Sequence, residues 1–150
     1  MREGNNKIVG RERNFIRVGF DLDGVLCTEF RNNWLIKFFW KIFPKTWSFI
    51  THLFAKKTEY CNAVYSGDYV ITGRPSNEFI LTRRQLDKWG LKNVLLIIDY
   101  DKNKPDKQKS IAFKIDKIKK LGIDLFYEND LETIKELKKN TSTKTIYVHN

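Results

Sequence analysis

Short, nearly unbroken apolar runs alternate along the chain with longer segments in which apolar residues recur every three or four positions. This is the pattern of strands alternating with amphipathic helices. Residues 15–22, 68–75, 93–99, 123–127 and 144–149 read as strands, rich in Val, Ile, Phe and Tyr. After Pro75 the pattern predicts a helix with Ser76 as N-cap, a stripe of Phe79, Ile80, Leu81, Leu86 and Trp89, and a stop at Gly90. A lysine-rich loop is predicted over 100–109. A second helix follows, with Ile111, Ile115, Ile118 and Leu121 on one face and Lys114, Lys117 and Lys120 among its polar positions, ended by Gly122. A third helix runs to about Lys139. Alternation of this kind predicts an α/β fold, a doubly wound, Rossmann-like parallel sheet of about five strands. The run 93–99, apolar throughout its middle, is expected to be covered on both faces.

Three of these strands end in residues capable of chemistry. The first ends in Asp21-Leu22-Asp23-Gly24. Strand side chains alternate faces, so the two acids would share a side if the strand continued, and Gly24 lets the chain turn sharply. Carboxylates this close repel unless a cation sits between them or one keeps its proton. Hard oxygen ligands of this kind suit Mg²⁺, and one acid could attack while its neighbour moves a proton. The second strand ends in Thr72-Gly73-Arg74, which offers a hydroxyl, an unobstructed backbone N–H and a cation to an anionic oxygen. The fourth breaks into Glu128-Asn129-Asp130. In a parallel sheet all strand ends share one rim, where ligands bind, so Asp21, Asp23, Thr72, Glu128 and Asp130 are expected to converge.

Composition narrows the classes. A chain of 150 residues, 41% hydrophobic and 14% aromatic, is one globular domain with a real core and not a disordered polymer. A net charge of +10 favours attraction to polyanions. Two cysteines, Cys27 and Cys61, are too few for a disulfide scaffold, and with a polar N-terminus lacking a secretory signal they point to reduced thiols and a cytoplasmic setting.

Taken together, Phe20 to Leu26, Thr72, a lysine upstream of residue 128 and the Glu128-Asn129-Asp130 cluster resemble the four motifs of the haloacid dehalogenase (HAD) superfamily of Mg²⁺-dependent phosphohydrolases, over roughly residues 15–148. The resemblance implies that Asp21 is the nucleophile, forming an aspartyl-phosphate, and that Asp23 protonates the leaving alcohol and then activates water. It implies Mg²⁺ on Asp21, the Asp23 carbonyl and an acid of the fourth motif, Thr72 and Gly73 on a phosphoryl oxygen with Arg74 adding charge, and a lysine that neutralises phosphate. Lys114 is the choice by spacing, with Lys107 and Lys109 as rivals. The fourth motif departs from the usual paired aspartates. Asn129 stands where a metal-facing acid is common, and its amide oxygen would coordinate with less charge; Asp130 has a second reading as the cap of the last helix.

The family places a substrate-selecting cap between the first two motifs, here approximately residues 28–67. Trp34, Phe38, Phe39, Trp40, Phe43, Trp47, Phe49 and Phe54 are interleaved with Lys37, Lys41, Lys45, Lys56 and Lys57. Spaced lysines and Pro44 exclude a transmembrane helix. A small helical cap packing its aromatics on the core is the favoured reading, ahead of contact with an anionic membrane surface or stacking on single-stranded nucleic acid. The expected substrate is a small phosphomonoester or nucleotide. The alternative is a nucleic-acid end, as in polynucleotide 3'-phosphatases, which the stretch from Thr72 through Arg84 and Trp89 also resembles. The rival from another class is a non-catalytic basic module binding nucleic acid or membrane.

Overall fold

A computed structural model of the protein describes residues 16–28, 55–99 and 106–149. The aromatic and basic stretch from Trp34 to Phe54, and with it most of the expected cap, lies outside them. Five strands form one parallel sheet: β1 (Val18–Phe20), β2 (Tyr69–Pro75), β3 (Leu95–Asp99), β4 (Leu125–Glu128) and β5 (Lys144–Tyr147). Their order is β3-β2-β1-β4-β5, and every pairing is parallel. The helices are α1 (Phe79–Lys88), α2 (Lys107–Leu121) and α3 (Leu131–Asn140).

Alternation along the strands divides the core in two. Val18 and Phe20 of β1, Val70, Leu96, Leu125 and Tyr127 pack with Leu86 of α1 and with Leu22, Val25 and Leu26 of the loop after β1. Ile71, Ile97 and Phe126 point the other way, onto Ile118 of α2 and Leu137 of α3. Apolar side chains thus leave both faces of the sheet, as period-two alternation requires when helices cover each side. This is the doubly wound arrangement the alternating pattern predicts. The central strand β1 is buried throughout, so the chain emerging from it begins at the middle of the sheet's carboxyl rim.

Local expectations fail where propensity meets packing. Ser76 does not cap α1: residues 76–78 form a 3₁₀ turn, and the helix starts at Phe79 with no side-chain cap. Phe79 and Ile80 of the expected apolar stripe are exposed, whereas Thr82, Gln85 and Leu86 are buried. Residues 107–109 belong to α2, because Asp106 accepts the Gln108 N–H at 2.9 Å and starts the helix earlier. Leu96 packs on one face of β3 and Ile97 on the other, as expected, although β3 ends the sheet and Leu95 at its start is 47% exposed. Gly122 ends α2 in the left-handed region, as expected.

Candidate functional site

β1 stops at Phe20, and the Asp21 N–H donates to the Tyr127 carbonyl at 2.9 Å, pinning Asp21 to the rim beside β4. The following loop folds on itself: Leu26 and Cys27 both donate to the Leu22 carbonyl at 3.0 Å, and Leu22, Val25 and Leu26 bury completely beneath it. Gly24 turns this loop at φ 84°, and a Cβ there would lie 1.9 Å from the Asn129 amide. Both facts exclude a side chain. The two carboxylates therefore leave the strand in a wound loop, and each meets its own cation.

Asp21 meets Lys114. The lysine comes from the inward face of α2, between Ile111 and Ile118, and is buried with its ammonium 2.9 Å from Asp21 Oδ2 and 2.7 Å from Glu128 Oε2. Glu128, completely buried at the end of β4, also accepts the backbone N–H of Asn129 at 3.0 Å and of Asp130 at 3.1 Å through Oε1. Burial first, then the Glu128 charge, pushes the Asp21 carboxyl well above the usual carboxylate range, against the pull of Lys114. Lys114 is held above the ordinary lysine range by Asp21 and Glu128, which outweigh its burial.

Asp23 meets Arg74. The guanidinium donates from Nε to Oδ2 at 2.8 Å and from one Nη to Oδ1 at 2.5 Å, a fork-to-fork pair. Burial would raise the Asp23 carboxyl, but the Arg74 charge and hydrogen bonds outweigh it and leave the group below its ordinary value. The Cys27 thiol donates to Asp23 Oδ1 at 3.5 Å. Burial, then the Asp23 charge, pushes that thiol well above its ordinary value.

Thr72 is buried within β2, and its Oγ1 accepts the Arg74 N–H at 3.3 Å, leaving its own proton to donate. The register of β2 against β3 shifts between Thr72 and Pro75; such irregularities re-aim side chains next to sites. A Cβ on Gly73 would fall 1.9 Å from Ser110 Oγ of α2, so this glycine lets helix and strand approach closely.

The Asn129 amide faces two acceptors, the Asp23 carbonyl oxygen at 3.0 Å and Glu128 Oε1 at 3.2 Å, and with its nitrogen turned inward it donates to both. Asp130 caps α3: Oδ1 accepts the Glu132 N–H at 3.1 Å, and Oδ2 accepts the Thr133 hydroxyl at 3.1 Å. Its carboxylate also pairs with Lys107 at 3.0 Å, and Lys107 reaches Glu132 at 2.7 Å. Of the three candidate lysines, then, Lys114 is brought to the acids, Lys107 binds the α2–α3 surface, and Lys109 is exposed on α2.

The rim thus gathers Asp21, Asp23, Thr72, Gly73, Arg74, Lys114, Glu128 and Asn129, with Asp130 directed toward a helix terminus. Among the described residues no group of three or more His, Cys, Asp or Glu side chains could alone hold a metal ion, and no helix is long and apolar enough to cross a membrane. Sequence reasoning missed Thr82, Gln85 and Cys27, which touch Arg74. A signal existed in the spacing 82, 85, 86, a helical face with two polar members.

Among solved structures, the chain is similar to one described as the structure of the Pnkp1/Rnl/Hen1 RNA repair complex, with a TM-score of 0.57 and 15% identity. The likeness covers 88% of this chain and 42% of that one, so the chain spans under half the length of the structure it matches. At this identity the likeness is one of fold. No family model and no curated protein matches the sequence.

Proposed function

We propose that the protein is a HAD-like, Mg²⁺-dependent phosphomonoester hydrolase working through an aspartyl-phosphate on Asp21. The observation that carries this reading is the charge balance of the rim. With all three ionised, the carboxylates of Asp21, Asp23 and Glu128 face two cations, Lys114 and Arg74, leaving one net negative charge where a phosphate dianion would have to sit. A divalent cation reverses that sign, and the raised Asp21 carboxyl is the group that a cation would stabilise.

The donors fit Mg²⁺, an ion of hard oxygens. Asp21 has Oδ1 beyond its Lys114 contact, and the Asp23 carbonyl and the Asn129 amide stand 3.0 Å apart. Turning the Asn129 oxygen inward would add a third oxygen. Bound there, Mg²⁺ would polarise the phosphoryl oxygens and neutralise their charge. Asp21 attacks phosphorus, and the leaving alcohol takes a proton from Asp23, whose carboxyl the charge of the bound phosphate would raise from the low value that Arg74 gives it at rest; Asp23 then withdraws a proton from the water that hydrolyses the acyl phosphate. Thr72 donates its hydroxyl to a phosphoryl oxygen. Lys114 orients Asp21 and neutralises charge that develops in the transition state.

A small phosphomonoester or nucleotide is the first substrate class. A nucleic-acid end is the second reading, supported by the net charge of +10 and by the fold likeness to part of an RNA repair complex. Phosphate release with Mg²⁺ from p-nitrophenyl phosphate, nucleoside monophosphates and 3'-phosphorylated oligonucleotides tests both. Metal-dependent turnover lost in Asp21→Asn is expected, and preference within the panel names the class. Salt-sensitive polyanion binding with no turnover on any member would replace the hydrolase by a binding module.

A further inference from the structure

The donors of the Arg74 side chain are engaged within the protein. A guanidinium has five N–H groups, and the described residues supply five acceptor atoms. Nε meets Asp23 Oδ2 at 2.8 Å, one terminal nitrogen meets Thr82 Oγ1 at 3.3 Å and Gln85 Oε1 at 3.0 Å, and the other meets Asp23 Oδ1 at 2.5 Å and Cys27 Sγ at 3.8 Å. The side chain is only 10% exposed. Thr82 and Gln85 lie one turn apart on α1 and are both buried, on the face where the sequence pattern predicts apolar residues. Buried polar side chains are costly unless partnered, and Arg74 is the partner that both share.

We infer that Arg74 is a positioning residue for Asp23, not a ligand of the substrate phosphate, and that Thr82 and Gln85 fix its guanidinium from behind. This rests on the hydrolase reading above. The fork takes both oxygens of Asp23 and so fixes the plane of the carboxylate through which a proton would pass to the leaving alcohol and, later, from water. It also cancels the Asp23 charge that would repel an incoming phosphate. Alignment of this kind acts on the proton-transfer step and not on phosphate affinity.

The test compares wild type with Gln85→Leu, Gln85→Glu and Arg74→Lys on two esters with Mg²⁺. One is p-nitrophenyl phosphate, whose leaving group departs without protonation; the other is glycerol phosphate, whose alkoxide does not. Gln85→Leu and Arg74→Lys should lose about tenfold more kcat on the alkyl ester than on the aryl ester, with KM changed little. Gln85→Glu, which keeps an acceptor oxygen for Arg74, should restore the alkyl rate. A rise in KM for both esters would make Arg74 a phosphate ligand, and an equal fall on both in the first-turnover rate, which precedes the shared water step, would make the cluster merely structural; either overturns the inference. The Arg74 Nε–H resonance in ¹⁵N NMR of the resting protein, expected to exchange slowly and to shift in Asp23→Asn, reports the pairing without turnover. An Nε–H that exchanges fast in wild type also overturns the inference. Wild type inactive on both esters would instead remove the hydrolase reading and, with it, the role of Arg74 in proton transfer.

Discussion

The Lys114 ammonium lies 2.9 Å from Asp21 Oδ2 and simultaneously 2.7 Å from Glu128 Oε2, all three groups being buried. One cation therefore serves two carboxylates in the low-dielectric interior of the rim. Removing one member of such a cluster costs more than the cluster itself contributes, because charges are left buried without a partner. Lys114→Met should lower stability by about 3–5 kcal/mol near neutral pH in urea unfolding. The sign of its pH dependence follows from the raised Asp21 carboxyl. A folded-state value above the unfolded one stabilises below the unfolded value and is lost as pH rises through the folded one. With the lysine gone that rise is larger, so the deficit of Lys114→Met should shrink on acidification toward about pH 5 and widen toward pH 8.

Asn129 is the uncharged member of the run Glu128-Asn129-Asp130. Placed 3.2 Å from Glu128 Oε1, an aspartate there would add like-charge repulsion in the metal-free protein. Asn129→Asp should lower the thermal midpoint without Mg²⁺ and raise it more steeply than wild type when Mg²⁺ is added, since ligands of the folded state stabilise by mass action. Thermal shift across a Mg²⁺ titration reads both effects. Equal Mg²⁺ response in the two proteins would remove Asn129 from the metal-facing set.

Close packing of α2 on β2 at Gly73 predicts a coupled pair. Gly73→Ala brings a methyl to 1.9 Å from Ser110 Oγ and should cost about 1–3 kcal/mol. Ser110→Ala removes that oxygen but leaves its Cβ 3.1 Å away, so the double variant should recover part of the loss and deviate from additivity. Chemical denaturation of the four proteins closes the cycle.

Asp130 links the site's edge to the acid limb of stability. Its carboxyl lies below its ordinary value: burial opposes ionisation, but the Lys107 hydrogen bond, the Glu132 N–H and the Lys107 charge prevail. A depressed carboxyl contributes stability above its unfolded value, and that contribution disappears as pH falls through the folded one. Asp130→Ala should cost about 1 kcal/mol through the lost cap, and Asp130→Asn less, because asparagine still caps. Both variants should lose less stability than wild type between about pH 5 and pH 3, measured by circular dichroism.

Much of this site was legible because its residues carry local signatures. Two acids flanking one residue before a glycine mark the end of β1, and an apolar run closing in Thr72 marks the point in β2 after which its register on β3 shifts. Lys114 was reachable by spacing, but it was grouped with Lys117 and Lys120 as polar surface. Its place in the series 111, 114, 118 is the better signal, since that face of α2 is buried. The Arg74–Asp23 pair was not legible, because it joins positions 51 residues apart across a register shift that no local pattern announces. The buried face of α1 was misread for a related reason. Thr82 and Gln85 are buried where both accept from Arg74, a tertiary pairing that the apolar pull of Phe79 and Ile80 does not announce.

The central claim is that Asp21 takes the phosphoryl group. Reacting the protein with p-nitrophenyl phosphate and Mg²⁺, quenching with borohydride and sequencing the peptides by mass spectrometry tests it directly, because borohydride reduces an acyl phosphate to the corresponding alcohol. The account predicts that Asp21 is converted in wild type, that conversion requires Mg²⁺, and that Asp21→Asn neither traps phosphate nor releases it. Turnover at the wild-type rate in Asp21→Asn, or conversion of Asp23 in place of Asp21, would contradict it.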